Sequence, residues 1–255
     1  MENGIVEYIL NEKDLTQREI IVEKLSRKVK IFYDKTVIFK TEILKMFIEF
    51  SKLKVDEETI LLAMLLCNCK KPLYFNEMDK LKTFALEGAK YLRELGFDKK
   101  FCNICEGVNR YSGQTRTDES DILEVVDKFG GLILDRQERD GYSVNDALIL
   151  LEQRNLKGIE NKYMEIFKDF VTTTNGYTIK EQINVGIFDR LKTIYKNSVD
   201  VVDFIVKLDR DYRPKIDNLT NNTKEIKNEE KDENKAIFSK EAVERIFAKS
   251  GEGVV

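Results

Sequence analysis

Histidine is absent from all 255 residues of this chain. Histidine is the commonest neutral metal ligand in proteins and the side chain whose ordinary pKa lies nearest neutrality. Its absence excludes serine or cysteine nucleophiles that are activated by imidazole, and it excludes the two-histidine zinc sites of metalloproteases. Carboxylate-based magnesium chemistry, lysine chemistry and cysteine chemistry stay open, as does a protein without catalytic activity.

Proline, cysteine and long apolar runs are also scarce. Only two prolines occur, Pro72 and Pro214, so few residues interrupt a helix. Four cysteines in a chain of this length favour reduced thiols over a disulfide framework. No uninterrupted apolar run reaches the about 18 residues of a membrane span, and the first residues lack the pattern of a signal peptide. We therefore expect a cytoplasmic protein without membrane insertion.

The charged residues are numerous but balanced. They make up 35% of the chain, and 43 Lys and Arg face 46 Asp and Glu. Such a balance lacks the basic field with which proteins attract nucleic acid, so no nucleic-acid partner is expected. The 42% of hydrophobic residues are sufficient for a sizeable core.

Apolar side chains recur at helical spacing along most of the chain, which predicts an all-α fold. A capping box at Thr16–Glu19 begins the first predicted helix, and Ser143 caps a later one. The predicted helices after the first cover about residues 41–53, 56–66, 84–95, 99–110, 119–135, 143–154, 159–171, 179–195 and 199–208.

We predict four parts of the chain. These are an N-terminal helical segment (1–37), a main domain (38–171), a small C-terminal helical extension (172–214) and a charged tail (215–255). The polar run Thr172–Gly176 is the predicted linker between the main domain and the extension. Residues 215–235 contain almost no apolar side chains, so we expect the tail to be disordered there.

A short amphipathic segment follows within the charged tail. Its apolar side chains share one helical face: Phe238, Ala242, Val243, Ile246 and Phe247. Such a segment after a charged linker is typical of a docking element for a partner protein, and folding back onto the main domain is the alternative. The apolar faces of the extension also leave two alternatives, which are pairing in a homodimer and packing on the main domain.

Four segments of the main domain form a pattern by their order and spacing. They are Leu65–Lys71 (LLCNCKK), Phe84–Gly88 (FALEG), Gly107–Gly113 (GVNRYSG) and the stretch from Asp127 to Leu148 with its DR element at 135–136. This pattern resembles the HD superfamily of metal-dependent phosphohydrolases, most closely its HD-GYP branch. The resemblance covers about half of the chain and implies an HD-domain-like helical bundle. The Gly-Tyr-Pro loop of that branch is missing here.

The resemblance also implies where the metal ligands of the family would stand. The matching positions in this chain are Ile38, Cys67, Asn68, Phe84, Gly107, Val108 and Asp127. Asp127 is the one carboxylate among them, and one carboxylate cannot hold a dinuclear centre, because each divalent ion needs about four to six donors. The resemblance therefore implies a pseudoenzyme without a metal or another cofactor. Asp127 is then either a residual magnesium ligand or a structural residue tied to Arg136, Lys128 or a backbone amide.

Two structural interpretations of the four cysteines compete. Cys102 and Cys105 share a helix face, and with Cys67 and Cys69 they have the residue types of a zinc site. Cys67 and Cys69, however, lie roughly 200° apart on a regular helix. The structural alternative is that the four are small buried side chains that fill space, and a redox switch is a third interpretation.

The DR element and the nearby Arg139 allow two interpretations. Asp135, Arg136 and Arg139 are either a phosphate pocket, because arginine suits phosphate geometry, or an ion-pair network at the end of a helix.

Three hypotheses for the function follow. The first is a catalytically inactive HD-like protein that acts as a regulatory or scaffold protein through protein–protein interaction. The second is a sensor that binds a nucleotide or second messenger in the former catalytic cleft without hydrolysing it. The third is a phosphohydrolase with a metal site rebuilt from cysteines and carboxylates.

Overall fold

The computed structural model describes residues 35–71, 83–94, 97–110, 115–136, 139–155, 161–176 and 186–212. These residues are 76% helical and contain no strand, which confirms the predicted all-α class. None of the helices in these ranges is both long and apolar enough to cross a membrane. The predicted helix after Thr16 and the amphipathic segment with Phe238, Ala242, Val243, Ile246 and Phe247 lie outside the described residues.

Nine α-helices follow one another along the described part of the chain. They are α1 (Lys35–Ser51), α2 (Glu57–Leu66), α3 (Phe84–Glu94), α4 (Lys99–Gly107), α5 (Asp118–Ile133), α6 (Val144–Leu150), α7 (Met164–Gly176), α8 (Ile187–Lys196) and α9 (Val201–Lys207). α6 continues as a π-helical turn, Leu151–Asn155, and α9 continues in the same way as Leu208–Tyr212.

Short polar side chains begin five of these helices. Asp56, Asp98, Thr117, Ser143 and Asp200 each accept a hydrogen bond from the backbone N–H three residues later. These bonds satisfy donors that have no partner inside the helix. The predicted cap at Ser143 is therefore confirmed.

Aromatic rings join the helices of the main domain to the extension. The ring of Phe129 on α5 lies 5.2 Å from that of Phe167 on α7 and 5.5 Å from that of Phe188 on α8. Phe170 on α7 also contacts Phe188, with 5.9 Å between the ring centroids. Because all four rings are fully buried in one continuous core, the extension helix α8 packs on the main domain.

The predicted linker Thr172–Gly176 is helical and forms the last turns of α7. The hydroxyl of Thr172 donates to the backbone carbonyl of Lys168, 2.9 Å away, within the same helix. The polar composition indicated a break, but Phe170 and Val171 just before it are buried and hold α7 against the core. Tertiary packing thus overrides the low helix propensity of threonine and asparagine.

Candidate functional site

Asp127 lies in α5 and is buried against α1 and the end of α2. Its Oδ1 accepts hydrogen bonds from Nζ of Lys40 (2.7 Å) and Nδ2 of Asn68 (2.6 Å). Its Oδ2 accepts a hydrogen bond from Nζ of Lys71, 3.2 Å away. We call these four residues the Asp127 cluster. Both carboxylate oxygens are therefore occupied by protein donors, two of which are ammonium groups.

The charges of the cluster decide the state of the carboxyl. Burial alone raises the pKa of Asp127, but the charges of Lys40 and Lys71 and the hydrogen bonds from Lys40 and Asn68 outweigh it. The pKa of Asp127 is held well below its usual range. Burial lowers the pKa of the Lys71 amine, and the charge of Asp127 opposes that effect. The negative charge of Asp127 is thus balanced by amines rather than left for a divalent cation.

Two glycines in the last turn of α5 make room for Lys40. A Cβ on Gly130 would lie 2.7 Å from Cγ of Lys40, which is closer than a methyl group tolerates. A Cβ on Gly131 would lie 4.0 Å from Nζ of Lys40 and 3.0 Å from Nη2 of Arg136. A glycine inside a helix costs about 1 kcal/mol relative to alanine. The close approach of Lys40 to α5 explains why glycine is present here despite that cost.

Asn68 orients the carboxylate from the turn that follows α2. Its Nδ2 faces Oδ1 of Asp127, because the amide oxygen in that place would be repelled by the carboxylate. The Oδ1 atom of Asn68 is buried and accepts no hydrogen bond from the described residues. A buried acceptor without a donor costs about 1–3 kcal/mol. The Asn68 amide group therefore donates to Asp127 in an orientation that leaves its own oxygen without a donor among the described residues.

The positions that match the family's metal ligands do not all meet. Asn68 and Asp127 are in direct contact, and the ring of Phe84 lies 4.8 Å from Nζ of Lys71. Cys67 is close enough to Asp127 that this charge, after burial, is the second cause raising the pKa of its thiol. Ile38 is a fully buried side chain of the apolar core. The residue of α1 that contacts Asp127 is Lys40, and not the residue at position 38.

Helix packing closes the space at Gly107 and Val108, two of the positions that the resemblance matches to metal ligands of the family. A Cβ on Gly107, the last residue of α4, would lie 2.4 Å from Oγ of Ser120 on α5. Ser120 is held there by its hydrogen bond to the backbone carbonyl of Ile104, 3.1 Å away. Val108 follows as a buried apolar side chain. No side chain that could bind a metal fits at Gly107 while α4 and α5 keep this distance.

The geometry of the described residues gives no support to the zinc alternative for the cysteines. Cys67, Cys69, Cys102 and Cys105 are all buried, and none of the four forms a disulfide. Within the described ranges, no three cysteine, aspartate or glutamate side chains converge to hold a metal ion. Burial is the main cause that raises the pKa of Cys67, Cys69 (to about 11) and Cys105. Neutral buried thiols are poor ligands and nucleophiles, and they pack here as small apolar side chains.

Asp135, Arg136 and Arg139 have separate roles in the structure. The guanidinium of Arg139 donates to the backbone carbonyls of Gly131 (2.9 Å) and Leu132 (3.1 Å), and so clamps the C-terminal end of α5. Asp135 accepts a hydrogen bond from the backbone N–H of Gly141 (2.8 Å) and pairs with Lys196 at 3.5 Å. Arg136 is exposed and turns towards Gly131.

A cleft of about 270 Å³ opens beside the Asp127 cluster. Its lining includes Asp127 and four cationic side chains, Lys71, Lys128, Arg136 and Arg139. We call it the Asp127 cleft. Of the three residues predicted as a phosphate pocket, Arg136 and Arg139 lie here and Asp135 does not line it.

A second buried carboxylate lies one helical turn before Asp127. Glu124 is 1% exposed and accepts two hydrogen bonds from Arg110, at 2.7 Å and 2.6 Å. Arg116 donates to it at 2.7 Å, and the ammonium of Lys128 lies 3.2 Å away. Three cations therefore surround one carboxylate, and two of them, Arg110 and Arg116, tie the chain between α4 and α5 to α5.

Sequence reasoning named Arg136, Lys128 or a backbone amide as the structural partner of Asp127, and it missed Lys40 and Lys71. The signal for Lys40 was a lysine within the run 37–44, all of which is buried in α1. A long cation on a buried helix face requires a partner. That partner could not be named from the sequence, because Asp127 is 87 positions away.

We compared the chain with models of protein families, with curated proteins and with solved structures. None of the three comparisons finds a match. The geometry of the Asp127 cluster is therefore the basis for a functional conclusion.

Proposed function

We propose that this protein is a catalytically inactive, HD-like regulatory or scaffold protein that acts in the cytoplasm by binding a protein partner. A metal-dependent phosphohydrolase needs several carboxylate or imidazole donors that face a shared space. The described part of this chain has amines there instead. The protein thus retains a helical framework whose former catalytic centre serves its stability.

The observation that carries the proposal is the double ion pair on Asp127. Lys40 and Lys71 donate to different oxygens of the same carboxylate, and Asn68 shares one of them. The two ammonium groups take the place of divalent cations and repel them. The contact between Asn68 and Asp127 also supports the resemblance, because those two positions match metal ligands of the HD superfamily.

The test is metal binding and turnover by the full chain. We expect no stoichiometric manganese, iron or magnesium by elemental analysis after loading and dialysis. We also expect no hydrolysis of bis-p-nitrophenyl phosphate or cyclic di-GMP with any of these metals. Turnover that disappears in Asp127→Asn but persists in Asp118→Asn, an exposed control on the same helix, would overturn the proposal.

The partner is addressed by a second experiment. Affinity capture with the full chain and with a chain lacking residues 215–255 tests whether the tail contributes to partner binding. A partner retained equally by both chains would place the binding surface on the helical domain.

The described residues favour neither a rebuilt metal site nor a zinc site. Catalysis by a rebuilt site needs several donors in one place, and no such group of three exists among those residues. The sensor alternative is supported by the cationic lining of the Asp127 cleft.

A further inference from the structure

We propose that the Asp127 cleft binds a small phosphomonoester through Lys71, Lys128 and Arg136, without a metal ion. The inference goes beyond the scaffold function and assigns a ligand class to the cleft. It depends on the charges and distances in the cleft, and it would stand if the resemblance to the HD superfamily were dropped.

The first support is the excess of positive charge. Four cationic side chains and a single carboxylate line the cleft. Behind this lining, Lys40 adds a further cation to Asp127. Glu124 and Asp121 do not cancel the excess, because these two carboxylates pair with three cations, Arg110, Arg116 and Lys128. A dianion in the cleft would reduce the repulsion among these cations.

The second support is that these cations approach one short stretch of α5. Nζ of Lys71 lies 3.2 Å from Oδ2 of Asp127. One turn further along α5, a Cβ on Gly131 would lie 3.0 Å from Nη2 of Arg136. Lys128 stands on the same helix between these points. Its side chain is 23% exposed and that of Lys71 is 33% exposed, so both remain accessible from solvent.

The third support is the shape of the cleft. Leu132, Tyr142 and Leu150 form an apolar wall beside the cations. The volume of about 270 Å³ lies just below the range of about 300–1,000 Å³ that is usual for small-molecule sites. A sugar phosphate or a mononucleotide suits this size, with its phosphate on the cations and its remaining part on the wall. A ligand made of two nucleotide units exceeds it.

Calorimetric titration of the full chain in EDTA tests the inference. The probes are adenosine 5′-monophosphate, glucose 6-phosphate, orthophosphate, adenosine and glucose. We expect at least one of the two esters to bind with a Kd in the micromolar to millimolar range, more tightly than orthophosphate, and we expect no binding of adenosine or glucose. Arg136→Gln and Lys128→Gln should each weaken ester binding about tenfold, since each removes a charge-assisted hydrogen bond.

Lys196→Gln is the matched control, because Lys196 pairs with Asp135 and does not line the cleft. It should bind the esters as the unmodified chain does. Since Arg136 is exposed, its substitution leaves the fold intact, and a thermal melt verifies this. Flat titrations with both esters, orthophosphate binding as tightly as the esters, or unchanged binding by Arg136→Gln would overturn the inference. Metal-dependent hydrolysis would instead contradict the proposed function and leave binding in EDTA as a separate result.

Discussion

Nζ of Lys40 lies 2.7 Å from Oδ1 of Asp127, although the two residues are 87 positions apart. Their side chains are only 7% and 8% exposed. A buried ion pair adds little net stability over a well-packed apolar pair, but removing one partner leaves an uncompensated charge. The Asp127 cluster is therefore a place where single substitutions should have large effects.

The coupling within this pair is measurable by a double-mutant cycle. Asp127→Asn should lower the free energy of unfolding by about 3–5 kcal/mol, because the buried ammonium of Lys40 loses its counter-charge. Lys40→Met should cost less, about 1–3 kcal/mol, because Lys71 and Asn68 still donate to Asp127. In the double variant the loss should be at least about 1 kcal/mol smaller than the sum. Urea unfolding measures all four proteins, and additive losses would contradict a direct interaction.

The pH dependence of stability follows from the pKa of Asp127. That pKa is held well below its usual range in the folded protein, and an unfolded aspartate has a pKa of about 3.9. A carboxyl with a depressed folded-state pKa stabilises the fold fully above its unfolded pKa. The contribution is lost as the pH falls towards the folded value.

We therefore expect the stability difference between the unmodified chain and Lys40→Met to be constant above about pH 5 and to shrink below about pH 4. Urea unfolding at each pH measures it. The control is Lys168→Met, whose ammonium lies 3.6 Å from the Glu152 carboxylate at an exposed site. Its stability difference should stay below about 1 kcal/mol throughout. If the stability difference caused by Lys40→Met grew in acid, the pKa of Asp127 would not be lowered by Lys40 in the folded protein.

The two glycines of α5 should respond differently to alanine. Gly130→Ala should destabilise the fold by about 1–3 kcal/mol, because the new methyl group would press on Cγ of the buried Lys40 stem. Gly131→Ala presses on the flexible end of Arg136 and reaches Nζ of Lys40 at an ordinary contact distance, so the gain in helix propensity of about 1 kcal/mol should make it neutral or stabilising. Thermal melts of both variants check this pair, and equal effects would contradict the close packing of Lys40 on Gly130.

Glu124 should be the most sensitive glutamate in the described part of the chain. Glu124→Gln removes the one carboxylate shared by Arg110, Arg116 and Lys128, and we expect a loss of about 3–5 kcal/mol. The matched control is Glu152→Gln, which should cost less than about 1 kcal/mol because its pair with Lys168 is exposed. Denaturant unfolding compares the two variants. Similar small losses would mean that the network around Glu124 is not needed for stability.

The all-α class and most helix positions could be predicted from local sequence. The apolar spacing and the capping residue Ser143 act within a few positions of one another, so they can be recognised without the fold. The linker at Thr172–Gly176 was mispredicted because the side chains that hold α7 in place come from other helices. Asn68 and Asp127 are in contact, and whether they occupy ligand positions of the HD superfamily stays a prediction.

The sequence by itself determined which chemistry is absent, since a chain without histidine has no imidazole to bind a metal or accept a proton. It also determined the helices, whose periodic apolar faces and polar caps are local properties. Only the tertiary structure decided that Lys40 and Lys71 converge on Asp127 and that Ser120 closes the space at Gly107. Charge pairs and close contacts between distant residues depend on how helices pack, and no short segment of the sequence contains that information.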